Sequence, residues 1–338
     1  MGLEAKKSFN YWSRIVLLVF NVALEQVMKK RVVSDMSKIE IRRFTKDDFQ
    51  KLGELYRAIT SRKNTVFWWV GEEDNWKNVF IAFEGKQMIG KGQVSVITSI
   101  TQGSPKDFKH YIYLNLKMLP EREDEYPIYD LLYERLVNRA YQLREKLPHG
   151  YRTMIGIGNQ STEEQNNNYF KSKGFVYWKS SFTMRRDLSE LIEHAVLSTP
   201  YSCRQWDMAS EESVDEYLKV DMEIWPEAPI GFMRLMENKK NSAWTAFVVR
   251  DKGVLVGSVM TWIDEDGDGV IEDLFVRKPW RKQGVAKHLL TQALTYLKNH
   301  GCEFAELQVE TANKSALSLY HSVGFKEVSE EVRYHKEL

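Results

Sequence analysis

The chain repeats itself, and the repeat narrows the folds open to it. Residues 80–90 (FIAFEGKQMIG) align with residues 247–257 (FVVRDKGVLVG). In both, apolar runs flank a turn of glycine and charged residues, which is the pattern of a β-hairpin. Residues 169–175 (YFKSKGF) align with residues 319–325 (LYHSVGF). Each half also opens on a short strand, residues 39–42 or 201–204, followed by a helical stretch, residues 45–56 or 210–220. One plan written twice calls for two copies of one α/β fold. The 338 residues suit this, since a typical domain takes about 150 residues. The expected division is residues 1–36 as an N-terminal extension or helix, 37–190 as the first domain and 200–338 as the second. A linker near 187–200 ends at Thr199-Pro200.

Composition removes several function classes. With 43% hydrophobic residues the chain can build real cores. A net charge of +1 gives no global attraction to nucleic acid or an anionic membrane, so neither is expected as a partner. Cys203 and Cys302 form neither a disulfide framework nor a metal-ligand cluster, which fits a reducing, cytoplasmic setting. No metal is expected. The apolar run Ile15–Leu24 is too short to span a bilayer. Residues 1–36 therefore read as a packed helix or an upstream extension, with Met36 as a natural start. Residues 264–269 (DEDGDG) resemble the opening of a calcium loop. Position 12 would be Phe275, however, and the flanks are strands, so an acidic hairpin turn is the better reading.

The chemistry concentrates at residues 270–290. An apolar strand, Val270–Val276, runs into the basic stretch Arg277–Lys282, then Gly284 and Ala286, then a helix with Leu289, Leu290, Ala293, Leu294 and Leu297 on one face. A glycine at a helix start lets the backbone approach an anion. The free N–H groups and positive dipole end there bind phosphate. Arg281, Lys282 and Lys287 add charge at the same place. The ligand expected is a di- or polyphosphate. The Gly-Lys-Ser/Thr ending of a nucleotide-triphosphate loop is missing, and so is a full dinucleotide fingerprint.

The spacing Arg281-x-x-Gly284-x-Ala286 after Leu274-Phe275-Val276 resembles the coenzyme A pyrophosphate loop of the GNAT acetyltransferases. A second segment, Asn313 to Phe325, resembles that family's later motif, in which an Asn and an Ala precede a Leu-Tyr pair and Gly-Phe. The resemblance covers about residues 200–338 and implies two tandem GNAT-like domains. Each would be a mixed, mostly antiparallel twisted sheet flanked by helices. The first copy is degenerate: residues 119–127 (LPEREDEYP) hold four carboxylates and no glycine, and Phe170 stands where the second copy has Tyr320.

The resemblance also implies the chemistry, which is acetyl transfer from acetyl-CoA to a primary amine by direct attack. The pyrophosphate falls to the backbone N–H groups of Gln283, Gly284, Val285, Ala286 and Lys287, with Arg281 and Lys282 nearby. The pantetheine arm falls to Leu274, Phe275 and Val276, and Asn313 joins the cofactor site. A backbone N–H near Phe275 meets the thioester oxygen. Tyr320 either protonates the leaving thiolate or caps the sulfur. Glu272 is the base favoured, with Asp273 as the alternative, and a site with neither as base stays open. Strand alternation sends these two carboxylates to opposite faces. Asp221 and Glu223 are candidates for holding a cationic acceptor. A small-molecule amine is the acceptor favoured, and the chain is expected as a monomer or homodimer. Two alternatives stay open: a non-catalytic acetyl-CoA sensor or scaffold, and a transferase for a longer acyl chain.

Overall fold

Hairpins and helix-periodic stretches fall where the repeat requires them in the computed structural model, which describes residues 38–197, 200–226 and 229–338. The expected extension at residues 1–36 lies outside the described residues. In chain order the first stretch gives β1 (Ile39–Arg43), α1 (Phe49–Thr60), β2 (Val79–Glu84), β3 (Gln87–Thr98), β4 (Lys109–Met118), α2 (Tyr126–Arg144), β5 (Arg152–Gln160) and α3 (Glu164–Ser172). The second gives β6 (Val176–Asp187), β7 (Tyr201–Trp206), α4 (Glu211–Ile224), α5 (Gly231–Asn238), β8 (Ser242–Asp251) and β9 (Val254–Ile263). It continues with β10 (Gly269–Val276), α6 (Val285–Asn299), β11 (Phe304–Glu310), α7 (Lys314–Ser322) and β12 (Lys326–Glu337).

Two compact units result. One holds the described residues up to Gly158, with Thr162–Val176 and His335–Leu338; the other holds Asn159–Ser161 and Tyr177–Tyr334. In the first, β1, β2, β3 and β4 pair antiparallel in sequence, and β4 pairs parallel with β5. In the second the sheet order is β7-β8-β9-β10-β11-β6-β12. The border expected near residue 190 does not match these units. Strand β6 precedes the linker, yet it pairs antiparallel with β11 from Asp187↔Phe304 to Ser181↔Glu310. Alternation identifies a strand but not its partner. Here complementary charge helps fix the register, since Arg185 lies opposite Glu306 with 3.5 Å between their charged groups.

The second sheet is covered on both faces, and alternation sorts its side chains. Phe247 and Val249 of β8 join one core with Leu289, Leu290, Ala293, Leu294 and Leu297 of α6. Ala246 and Val248 join the other with Val214, Tyr217 and Val220 of α4 and Leu235 of α5. Each fully buried leucine contributes about 1.5–3 kcal/mol, so α6 is held to the sheet by its apolar stripe. The helix ends at Gly301, whose φ of +86° few other residues tolerate. The Cys302 N–H then returns to the Leu297 carbonyl at 3.2 Å.

Candidate active site

A glycine turn opens the helix at the place the sequence suggests. Gly284 sits at φ +79° immediately before α6, and Lys282 is also left-handed at +62°. The N–H groups of Val285, Ala286 and Lys287 have no acceptor within the helix. Arg281, Lys282, Gln283 and Gly284 are exposed. Side chains brace the loop from behind. Arg277 is fixed by Glu223 at 2.7 Å, Trp280 Nε1 donates to Asp251 at 2.9 Å, and Arg281 Nε donates to the Val276 carbonyl at 2.9 Å. The Tyr201 hydroxyl donates to the side chain of Gln283.

Beside the loop, the sheet opens. β10 and β11 pair at only two positions, Gly269↔Ala305 and Val270↔Glu306, and then diverge. On its other edge β10 pairs with β9 through Glu272↔Met260, skips two residues and resumes at Phe275↔Ser258. The skipped residues, Asp273 and Leu274, form a bulge. Gly257 makes room for it, because a Cβ there would stand 2.9 Å from the Phe275 carbonyl oxygen. The resulting cleft has a volume of about 400 Å³ and is lined by Glu272, Asp273, Leu274, Glu306, Gln308 and Tyr320, with Thr183 and Arg234 at its walls.

The bulge overturns the expectation that Glu272 and Asp273 point to opposite faces. Asp273 has φ +57°, which breaks strict alternation, and both residues line the same cleft, with Glu272 bonded to Arg234 on α5 and Asp273 to Tyr217 on α4. Their environments differ. Glu272 is bound by Arg234 at 2.7 Å. Asp273 is pushed up to about 6 by burial, with Asp221 and Glu272 adding repulsion; the Tyr217 hydroxyl bond and Arg234 pull the other way. Tyr320 is only 8% exposed, and burial lifts its phenol to about 12, so it holds its proton at neutral pH.

Other expected residues have structural tasks. Glu223 is spent on Arg277. Asp221 is 1% exposed and accepts the Ile230 N–H at 2.8 Å through one carboxyl oxygen. Asn313 caps α7 by accepting the Ala316 N–H at 3.1 Å. Phe275 packs under the bulge against Tyr217 and Trp225, with ring centroids 6.0 and 5.8 Å away. Residues 264–268 form the β9–β10 turn, where Asp264 Oδ1 accepts the N–H groups of Asp266 and Asp268 at 3.0 and 2.9 Å. Sequence reasoning missed Tyr217, Arg234 and Thr183. None carries a local motif; they reach the cleft only through tertiary packing.

The corresponding place in the first unit is built differently. β4 and β5 stay paired for six positions, Lys109↔Arg152 to Leu114↔Ile157. Beyond them Asn115 donates to the Val66 carbonyl at 2.7 Å and accepts the Trp68 N–H at 3.2 Å, while Glu163 accepts the Val66 N–H at 3.3 Å. The segment around Val66–Trp68 is thus stitched beside the end of β4. Arg122, in the acidic turn before α2, is held by Glu84 at 2.9 Å and by Glu125. Pro127 stands in the first turn of α2 and removes an N–H donor there.

Known proteins share this architecture. A profile described as the Acetyltransferase (GNAT) family matches residues 204–325. N-alpha-acetyltransferase MAK3 of Arabidopsis thaliana is 37% identical over 82 residues, 23% of this chain and 43% of that protein. Mycothiol acetyltransferase of Propionibacterium freudenreichii subsp. shermanii is 36% identical over 91 residues, 26% of this chain and 29% of that protein. The chain therefore spans less than half the length of these curated relatives. A GCN5-related N-acetyltransferase from Sphaerobacter thermophilus superposes over 89% of this chain and 96% of its own, with a TM-score of 0.70 at 15% identity. A tandem GNAT protein from the clavulanic acid biosynthesis pathway superposes over 88% and 98%, with a TM-score of 0.62 at 12% identity. These two likenesses are of fold.

Proposed function

Since this chain belongs to the GNAT acetyltransferase family through residues 204–325, we propose that its second unit transfers an acetyl group from acetyl-CoA to a primary amine. The observation that carries this reading is the splayed, bulged strand β10 leading directly into the Gly284 turn. One feature opens the sheet and the next presents helix N–H groups, and together they suit a long ligand ending in a pyrophosphate. The N–H groups of Gln283 to Lys287, flanked by Arg281 and Lys282, bind the pyrophosphate. Leu274, Phe275 and Val276 line the path of the pantetheine arm, and Asn313 holds the start of α7 beside it. A bulge N–H faces the thioester oxygen as it gains charge.

Asp273 is the base we favour over Glu272. An alkyl amine is mostly protonated at neutral pH, so a nearby carboxylate must accept a proton before or during attack. Glu272 is already paired with Arg234. Asp273 titrates near 6 and so combines ionisation at pH 7 with useful basicity. Tyr320 keeps its proton until the thiolate departs and then supplies it. A phenol near 12 sits well above a thiol near 8.5, so that transfer depends on the thiolate forming within hydrogen-bond reach. We also propose that only the second unit binds acetyl-CoA. The first replaces the glycine turn with an acidic one and fills the end of its β4–β5 seam with its own chain.

The acceptor we favour is a small-molecule amine, with the chain acting as a monomer or homodimer in the cytoplasm. Relatives named N-alpha-acetyltransferase put peptide N-termini beside it in any assay panel. No helix among the described residues is long and apolar enough to cross a membrane. The test is thiol release from acetyl-CoA by the full chain across small amines and short peptides. Amine-dependent release that disappears in Asp273→Asn supports transfer. Binding without release for any amine supports the sensor reading instead. Release from longer acyl-CoAs in preference to acetyl-CoA supports the third.

A further inference from the structure

Tyr217 lies on α4, 56 residues before Asp273, and its hydroxyl donates to Asp273 Oδ2. The tyrosine is fully buried, with 0% exposure. Its ring is fixed in the core beside Val214 and Val220 and lies 6.0 Å from Phe275, the residue that resumes strand pairing after the bulge. Asp273 itself holds a left-handed backbone, φ +57°, at the cleft wall. A left-handed aspartate on an unpaired bulge has an unusual backbone and no ladder bond to aim its carboxyl. The phenol of Tyr217 supplies that aim from a rigid helix.

Resting on the reading of Asp273 as base, we infer that Tyr217 is a positioning residue, one that orients the Asp273 carboxyl toward the acceptor amine and holds it ready to take a proton. The bond goes to one oxygen, Oδ2, of a residue that lines the cleft. Because the phenol is buried, its own ionisation is pushed well up, so it stays a donor across the working range. A donor to the charged form favours that form. Tyr217 thus counters the burial of Asp273 and the repulsion from Asp221 on α4 and Glu272 on β10, as does Arg234 on α5. Glu306 on β11 and Tyr320 on α7 face the same cleft.

The test is the pH profile of kcat/KM for the full chain with acetyl-CoA and its best amine. Wild type shows an acid limb near 6, and Asp273→Asn abolishes it together with most of the activity. Tyr217→Phe keeps the ring and loses the donor. Its limb moves upward by about one pH unit. Its activity falls at pH 6 and largely returns at pH 9, and its affinity for acetyl-CoA stays at the wild-type value. Tyr217→3-fluorotyrosine keeps the hydroxyl and makes it a stronger donor, so its limb moves downward. This second variant reads the same bond should the first fail to fold. An unmoved limb in either folded variant, beside an inactive Asp273→Asn, overturns this inference alone. A wild-type profile with no limb near 6, or an active Asp273→Asn, overturns the base reading and this inference with it.

Discussion

Two residues carry most of the account at the smallest scale. Gly284 needs its left-handed φ of +79°, and a side chain there also stands where the proposed pyrophosphate approaches. Gly284→Glu adds backbone strain of about 1–2 kcal/mol and a negative charge, so acetyl-CoA affinity should drop at least about tenfold. Isothermal titration measures it. Asp273 makes a linked prediction about stability. Its folded carboxyl sits near 6, against an ordinary 3.8, so the fold prefers the protonated form. The stabilisation is fully present below about pH 4 and is lost as pH rises through 6. The difference is of order 3 kcal/mol. Asp273→Asn removes this cost while tolerating the left-handed backbone. It should melt higher than wild type at pH 8 but not at pH 4, while losing about 10²-fold or more in activity. Glu272→Gln should lose much less, because Glu272 is already paired. Gly284 was legible in the sequence, since a glycine among basic residues at a helix start has a local cause. Tyr217 was not, because its bond to Asp273 spans 56 residues and depends on how α4 packs.

Elements were legible in type and less so in partnership. The hairpins at residues 80–90 and 247–257, the helix after Gly284 and the strand at residues 304–309 all formed. Their signals are local: turn residues and periodic apolar positions. The bulge in β10 was hidden because Glu272-Asp273-Leu274 reads as plain alternation. Only the position of Phe275 against Ser258 reveals the two skipped residues. The pairing of β6 with β11 was hidden for the same kind of reason, since a strand's partner is a long-range choice. Gly257 offers a test at this scale. Its Cβ position lies 2.9 Å from the carbonyl oxygen of Phe275, just after the bulge, and 3.1 Å from Leu289. Gly257→Val should cost about 1–3 kcal/mol through overpacking. It should lower Tm and weaken acetyl-CoA binding together, as expected if the bulge and the head of α6 share one support. A lower Tm with unchanged affinity contradicts that coupling.

For the whole molecule, the two halves share a plan and differ in what they leave open. In the second unit the β10–β11 seam parts after two pairs; in the first the β4–β5 seam holds for six, and Asn115 and Glu163 bind the Val66–Trp68 segment beside it. The repeat pointed to two copies, and the acidic residues 119–127 set the first apart from the second. How its seam is filled could not be read, because residues 66–68 resemble no motif. The account's central claim is one acetyl-CoA site per chain, at the Gly284 turn. Calorimetric titration of the full chain with acetyl-CoA, beside Gly284→Glu, tests it most directly. The prediction is a stoichiometry of one for wild type and its loss in the variant. Two sites, no site, or a site that survives the substitution would contradict it.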